Sequence, residues 1–161
     1  MSDDLDKEQL IRLIKEEEDI NNVLIKRELL GNLFKFNRFA LGVEDGDKNV
    51  KLAPFHQELC YFVDHNPKRF KLILVPRGHL KSTLVTVGKS LQWIYNDPSI
   101  RILIANATYR MATTFVGQIQ RNLKFNAKLI GRFGSLADNP VSWTNDQITL
   151  EAAKEAHGKN E

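Results

Sequence analysis

The sequence predicts an α/β fold: a parallel sheet flanked by helices and preceded by an N-terminal helical arm. Apolar runs at Leu72–Val75 and Arg101–Ala105 are each followed by a segment of helical periodicity, Ser82–Tyr95 and Arg110–Phe125. Strand–helix units of that length imply parallel pairing with helices packed on the sheet. The turn between the first strand and its helix runs Pro76-Arg77-Gly78-His79-Leu80 and opens into Lys81-Ser82-Thr83. In such folds ligands lie beyond the strand C-termini, where this turn falls.

Taken in order, Leu5, Leu10, Leu13, Ile14 and Ile20 recur at helical spacing, so the first segment reads as an exposed amphipathic helix or helix pair, its EEED run a solvated face. A second helical pattern, Leu29, Leu30, Leu33, Phe34, Phe36 and Phe39, ends in the turn-rich Glu44-Asp45-Gly46-Asp47, and its phenylalanines read as core. The helix Ser82–Tyr95 puts Leu84, Val85, Leu91 and Ile94 on one side and stops at Asn96-Asp97-Pro98. Arg110–Phe125 turns Met111, Phe115, Ile119 and Leu123 inward. After Gly131 a loop of Gly134, Asp138, Asn139 and Pro140 precedes Val141–Trp143 and Gln147–Leu150, a candidate hairpin across Thr144–Asp146. The last eleven residues, EAAKEAHGKNE, carry no strand signal and are expected to fray. The chain divides into a helical lead-in, residues 1–50, and an α/β part, residues 51–161.

Composition is that of a globular protein, 42% hydrophobic and 27% charged. Charge is uneven: residues 1–19 hold eight acidic and three basic side chains, leaving a net +8 on the rest of a chain whose total is +3. That excess suits a polyanion, or is simply a basic surface. The single cysteine, Cys60, excludes an intrachain disulfide, reads as a small core residue and argues for a reducing compartment, the cytoplasm. No apolar run approaches the roughly 18–20 residues that span a bilayer, so no membrane is expected. The four histidines and the cysteine lack metal-ligand spacing.

Residues 70–83, FKLILVPRGHLKST, carry the chemistry. Unpaired N–H groups of a tight turn and helix start favour phosphate. Lys81 would reach the β- and γ-phosphates and the Ser82 hydroxyl would ligate Mg²⁺. Of G-x-x-x-x-G-K-[ST], Val75 and Leu80 occupy the glycine places and Gly78 lies between them, so a basic turn after a buried strand stands as the other reading.

The arginine four residues ahead of the lysine, Arg77…Lys81, resembles the deviant Walker A motif of the large terminase subunits of tailed bacteriophages. PFHQELC at 54–60 resembles the segment that precedes the P-loop there, RILIANATYRMATTFVGQIQ at 101–120 the strand and helix that follow, and NLFKFNRFALGVEDG at 32–46 the helical lead-in. The resemblance implies a P-loop NTPase-type sheet, incomplete relative to the family and without its nuclease domain. It implies ATP and Mg²⁺ held by Pro76, Arg77, Gly78, His79, Leu80, Lys81, Ser82 and Thr83, with Gln57 near the adenine. It also makes Lys81 and Arg77 the candidate catalytic residues. Implied partners are double-stranded DNA, a small terminase subunit, a portal protein and further copies in a homo-oligomeric ring, all in the host cytoplasm.

Several of these residues keep a second reading. His79 either contacts phosphate or acts as a spacer, Thr83 binds metal or caps and packs, and Arg77 meets the γ-phosphate or an acidic neighbour. Arg110 faces a subunit or DNA, or is a solvated helix start. An ATPase of this class also needs an apolar strand ending in Asp and Glu to hold Mg²⁺ and polarise water. LCYFVD at 59–64 precedes the loop, making Asp64 a helix-end residue, and Thr149 interrupts the apolar run before Glu151. In the family that strand lies later than this chain extends. The functional readings are therefore the ATP-binding part of a DNA-packaging motor, a remnant that binds nucleotide or partners without turnover, and a helicase-like ATPase of another family.

Overall fold

Ser2–Gly31 forms one continuous helix, α1, rather than a helix pair. At 1.5 Å per residue it extends about 45 Å. In the computed structural model, which describes residues 2–44, 51–138 and 140–150, its residues Leu10, Leu13, Ile14 and Ile20 are exposed. Only its last turn, Leu29 and Leu30, joins the core.

Asn32 breaks the chain from α1 and caps α2, Leu33–Lys35, by accepting from the Lys35 N–H at 2.9 Å. α2 runs straight into a π-helical turn, Phe36–Ala40, closed by the Leu41 N–H on the Phe36 carbonyl at 3.0 Å. The turn buries Phe36 and Ala40, while Phe34 is half-buried. Phe39 stays exposed beneath the Arg38 guanidinium, which departs from the core reading at that one position.

α3, Pro54–His65, starts with proline at its first position, where the missing N–H costs nothing. Its inward residues Cys60 and Val63 join Leu33 and Leu84 in one core cluster. Burial, aided by the Asp64 carboxylate, pushes the Cys60 thiol up to about 12, which is the behaviour of a packed thiol rather than a nucleophile.

The predicted helix after the loop is present as a π-helical segment, Ser82–Lys89, continuing into α4, Ser90–Asn96. It stops where Asp97 accepts from Ser99 and Pro98 follows. α5, Tyr109–Phe125, is capped by Thr108, whose hydroxyl accepts from the Met111 N–H at 3.3 Å. Ile119 and Leu123 are buried and Phe115 half-buried, but Met111 is exposed. α6, Ala127–Phe133, is capped by Asn126 and ends at Gly134, whose φ of +89° suits a residue without a Cβ. The larger core forms where α1, the π turn, α4, α5 and α6 meet, around Phe36, Leu91, Leu123 and Leu129.

The hairpin forms as expected: β1, Pro140–Trp143, pairs antiparallel with β2, Ile148–Leu150, with Trp143 opposite Ile148. Thr144 and Asp146 shape the turn through a 2.7 Å hydrogen bond. α5 anchors the hairpin, since Gln120 donates to the Thr144 carbonyl and the Lys124 ammonium lies 4.3 Å from the Trp143 ring centroid.

The parallel sheet is not there. Helices account for 63% of the fold, and the two-stranded antiparallel hairpin is the sheet it contains among the described residues. The α/β, P-loop NTPase-type architecture expected from the sequence is therefore corrected to a mainly helical one. Leu72–Val75 and Arg101–Ala105 are irregular and unpaired. The physical reason is visible in their burial. Ile73 and Ile104 pack on the helices, whereas Leu72, Leu74 and Leu103 are 80%, 82% and 92% exposed. An apolar run states a demand for burial, but only a neighbouring strand makes a ladder, and neither segment has one. The Asp45–Asp47 turn residues, the closing tail and Glu151 lie outside the described residues. No described helix is long and apolar enough to cross a membrane.

Candidate functional site

Residues 75–83 curl around a surface concavity of about 380 Å³. Two left-handed residues make the curl. Gly78 has φ +83°, where a side chain would be strained, and Leu80 has φ +52°, a conformation that costs an ordinary residue about 1–3 kcal/mol. Leu80 is held there by packing into the smaller core cluster, and its carbonyl accepts from the Leu84 N–H at 2.9 Å. The helix then begins at Lys81 with no side-chain cap, so its first N–H groups remain available to a ligand.

All the predicted loop residues line this one concavity. Among the described residues, the side chains of Arg77, Lys81, Ser82 and Thr83 make no hydrogen bond or ion pair within the chain. Among the described residues Arg77 accordingly has no acidic partner, and Thr83 caps nothing. His79 is turned back on the loop, its Nδ1 3.0 Å from the Arg77 carbonyl. Arg110 is exposed in the first turn of α5.

Gln57 is exposed in the first turn of α3, and Phe55, two residues ahead of it, packs that turn against the loop. The Phe55 ring meets the His79 ring edge-on with centroids 5.6 Å apart and lies 3.8 Å from His56. His56 is buried; its Nδ1 accepts from the Ala53 N–H at 2.8 Å, and its Nε2 has no partner. Desolvation holds its pKa below the ordinary 6.5, the His79 and Ala53 backbones opposing that shift. Sequence reasoning passed over Phe55 and His56. Their signal was an aromatic pair directly ahead of Gln57.

Asp64 is a helix-end residue, as expected, and more than that. Its Oδ1 accepts from Lys89 Nζ at 2.7 Å and its Oδ2 from the Leu33 N–H at 2.7 Å. This ties α3 to the helix that follows the loop and to the start of α2.

The donor set fits a polyphosphate. Two cationic side chains, two hydroxyls and an uncapped helix start converge on one concavity. Ser82 and Thr83 are the residues whose hydroxyl oxygens would hold a divalent cation there. No protein family, curated protein or solved structure matches the chain.

Proposed function

We propose that the loop of residues 75–83 binds the phosphates of ATP–Mg²⁺, and that the chain is the ATP-binding portion of a terminase-like motor that drives double-stranded DNA into a phage prohead. The observation that carries the reading is the loop itself: Gly78 and Leu80 in left-handed conformations turn Arg77, Lys81 and Ser82 onto one concavity at an uncapped helix start. The order of the four segments that resemble terminases supports the narrower assignment, as does the net +8 outside the N-terminal arm. In this reading Lys81 neutralises the β- and γ-phosphates, Arg77 offsets charge at the γ-phosphate, and Ser82 holds the metal. A Mg²⁺ ion held by Ser82 would supply charge screening of the phosphates. Pro76 fixes the entry to the turn, and Gln57 stands ready for the adenine edge. Small-subunit, portal and ring contacts and a host-cytoplasmic setting belong to the same proposal.

A second reading, binding without turnover, rests on one feature. Among the described residues no carboxylate lines the concavity, and Asp64 is committed to Lys89. Nucleotide binding and phosphate release measured side by side on the 161-residue chain separate the two readings. Release at about one per second or faster overturns binding without turnover, and absence of binding overturns both readings.

A further inference from the structure

Residues 72–75 and 101–105 both follow the period-2 burial of an extended chain. Ile73, Val75, Ile102 and Ile104 are half-buried, while the residues between them, Leu72, Leu74 and Leu103, are exposed. Phe70, 85% exposed, lengthens the same apolar strip. Both segments line one groove of about 440 Å³, through Lys71 and Ile73 from the first, Ile102 and Leu103 from the second, and Val85 and Trp93 from the helix between them in the chain. Among the described residues, no backbone N–H or carbonyl of 70–75 or 101–105 is hydrogen-bonded within the chain. Bare apolar strips of this kind mark interaction surfaces.

The backbone dictates the shape of the occupant. Rows of unpaired N–H and carbonyl groups are matched by another extended chain, not by a helix, whose own groups are already paired. The exposed, acidic α1 is therefore no candidate. Charge dictates the rest. Arg69 and Lys71 at the groove and Arg101 at the head of the second segment have no acidic partner among the described residues, and Lys89 is committed to Asp64. A second copy would bring the same cations to the same face and be repelled, whereas acidic ends would be drawn in.

We propose that the face formed by residues 70–75 and 101–105 receives a strand from a partner polypeptide, apolar at alternate positions and acidic at its ends. Its backbone pairs with these two segments, and its apolar side chains cover Ile73, Ile104 and Trp93 in the groove. The hairpin remains the sheet this chain builds for itself, and the loop of residues 75–83 need not hold phosphate for the strand to dock.

Three capped peptides test the proposal on the 161-residue chain: DEVTVTVTVDE, the same peptide with two prolines, DEVPVTVPVDE, and the lysine-flanked KKVTVTVTVKK. Binding is read by fluorescence anisotropy and its place by hydrogen–deuterium exchange. The first peptide should bind and slow exchange in 70–75 and 101–105. The proline form, lacking two ladder donors, and the lysine form should each bind about tenfold more weakly or worse. Arg69→Glu with Lys71→Glu should reverse the preference between acidic and lysine-flanked peptides, a gain that damage to the fold does not produce. No binding of the first peptide, equal binding of all three, or protection outside the two segments overturns the proposal. Protection of the two segments that grows with protein concentration in the absence of peptide also overturns it, and assigns the face to a second copy.

Discussion

Asp64 and Lys89, 25 residues apart, form an ion pair of 2.7 Å with side chains only 7% and 15% exposed. Lys89 also donates to Gln92 Oε1 at 2.7 Å, and the second Asp64 oxygen takes the Leu33 N–H, so three elements meet on one carboxylate. Cutting one side of such a pair leaves a buried charge unmatched. Asp64→Ala should lower unfolding free energy by about 3 kcal/mol in a urea titration. Asp64→Leu with Lys89→Met should recover most of that, since no lone charge remains.

Gly88 lies against the Asn37 amide, and a Cβ there would come within 2.8 Å of Asn37 Cγ. Asn37 has no room to yield, because its Nδ2 donates to the Leu33 and Leu84 carbonyls at 2.9 and 3.3 Å. Gly88→Ala should therefore destabilise by about 1–3 kcal/mol despite alanine's better helix propensity. Gly88→Ala combined with Asn37→Ala should be less damaging than the sum of the two, as measured by a double-mutant cycle.

His56 makes stability depend on pH in a defined direction. Burial lowers its folded pKa below 6.5, so the unfolded chain binds the proton more readily. Its contribution is complete above pH 6.5 and is lost as pH falls from there through the folded pKa. Urea midpoints measured between pH 7.5 and pH 5.5 should fall more steeply for wild type than for His56→Asn; parallel profiles would show that His56 titrates alike in both states.

Gln57, exposed beside the loop, tests the base end of the site. An amide both donates and accepts, matching one base edge and not another. Gln57→Ala should shrink the preference for ATP over GTP more than it weakens tripolyphosphate binding. An unchanged ATP/GTP ratio returns Gln57 to the ordinary helix surface.

What the sequence disclosed and what it withheld divide along the distance between partners. The helices through Leu91, Ile119 and Leu123, the stop at Asn96-Asp97-Pro98 and the hairpin across Thr144–Asp146 were legible, because periodicity, caps and turn residues act over a few positions. The sheet was misread because strand pairing is non-local: the runs at Leu72 and Leu103 looked buried and are among the most exposed apolar residues. The loop residues were legible as a group, being contiguous. The Phe55–His79 packing and the Asp64–Lys89 pair were not, since each joins segments 24 or 25 positions apart that no local pattern connects.

The central claim, that residues 75–83 hold a triphosphate, is tested most directly by calorimetric titration of ATP–Mg²⁺ into wild type and Lys81→Ala. The Lys81 side chain makes no hydrogen bond or ion pair among the described residues, so its removal should disturb the ligand and not the fold. The account predicts binding by wild type and at least a tenfold loss in the variant, about 1.4 kcal/mol, with unchanged melting of the free chain. Equal affinity in the two proteins would contradict it.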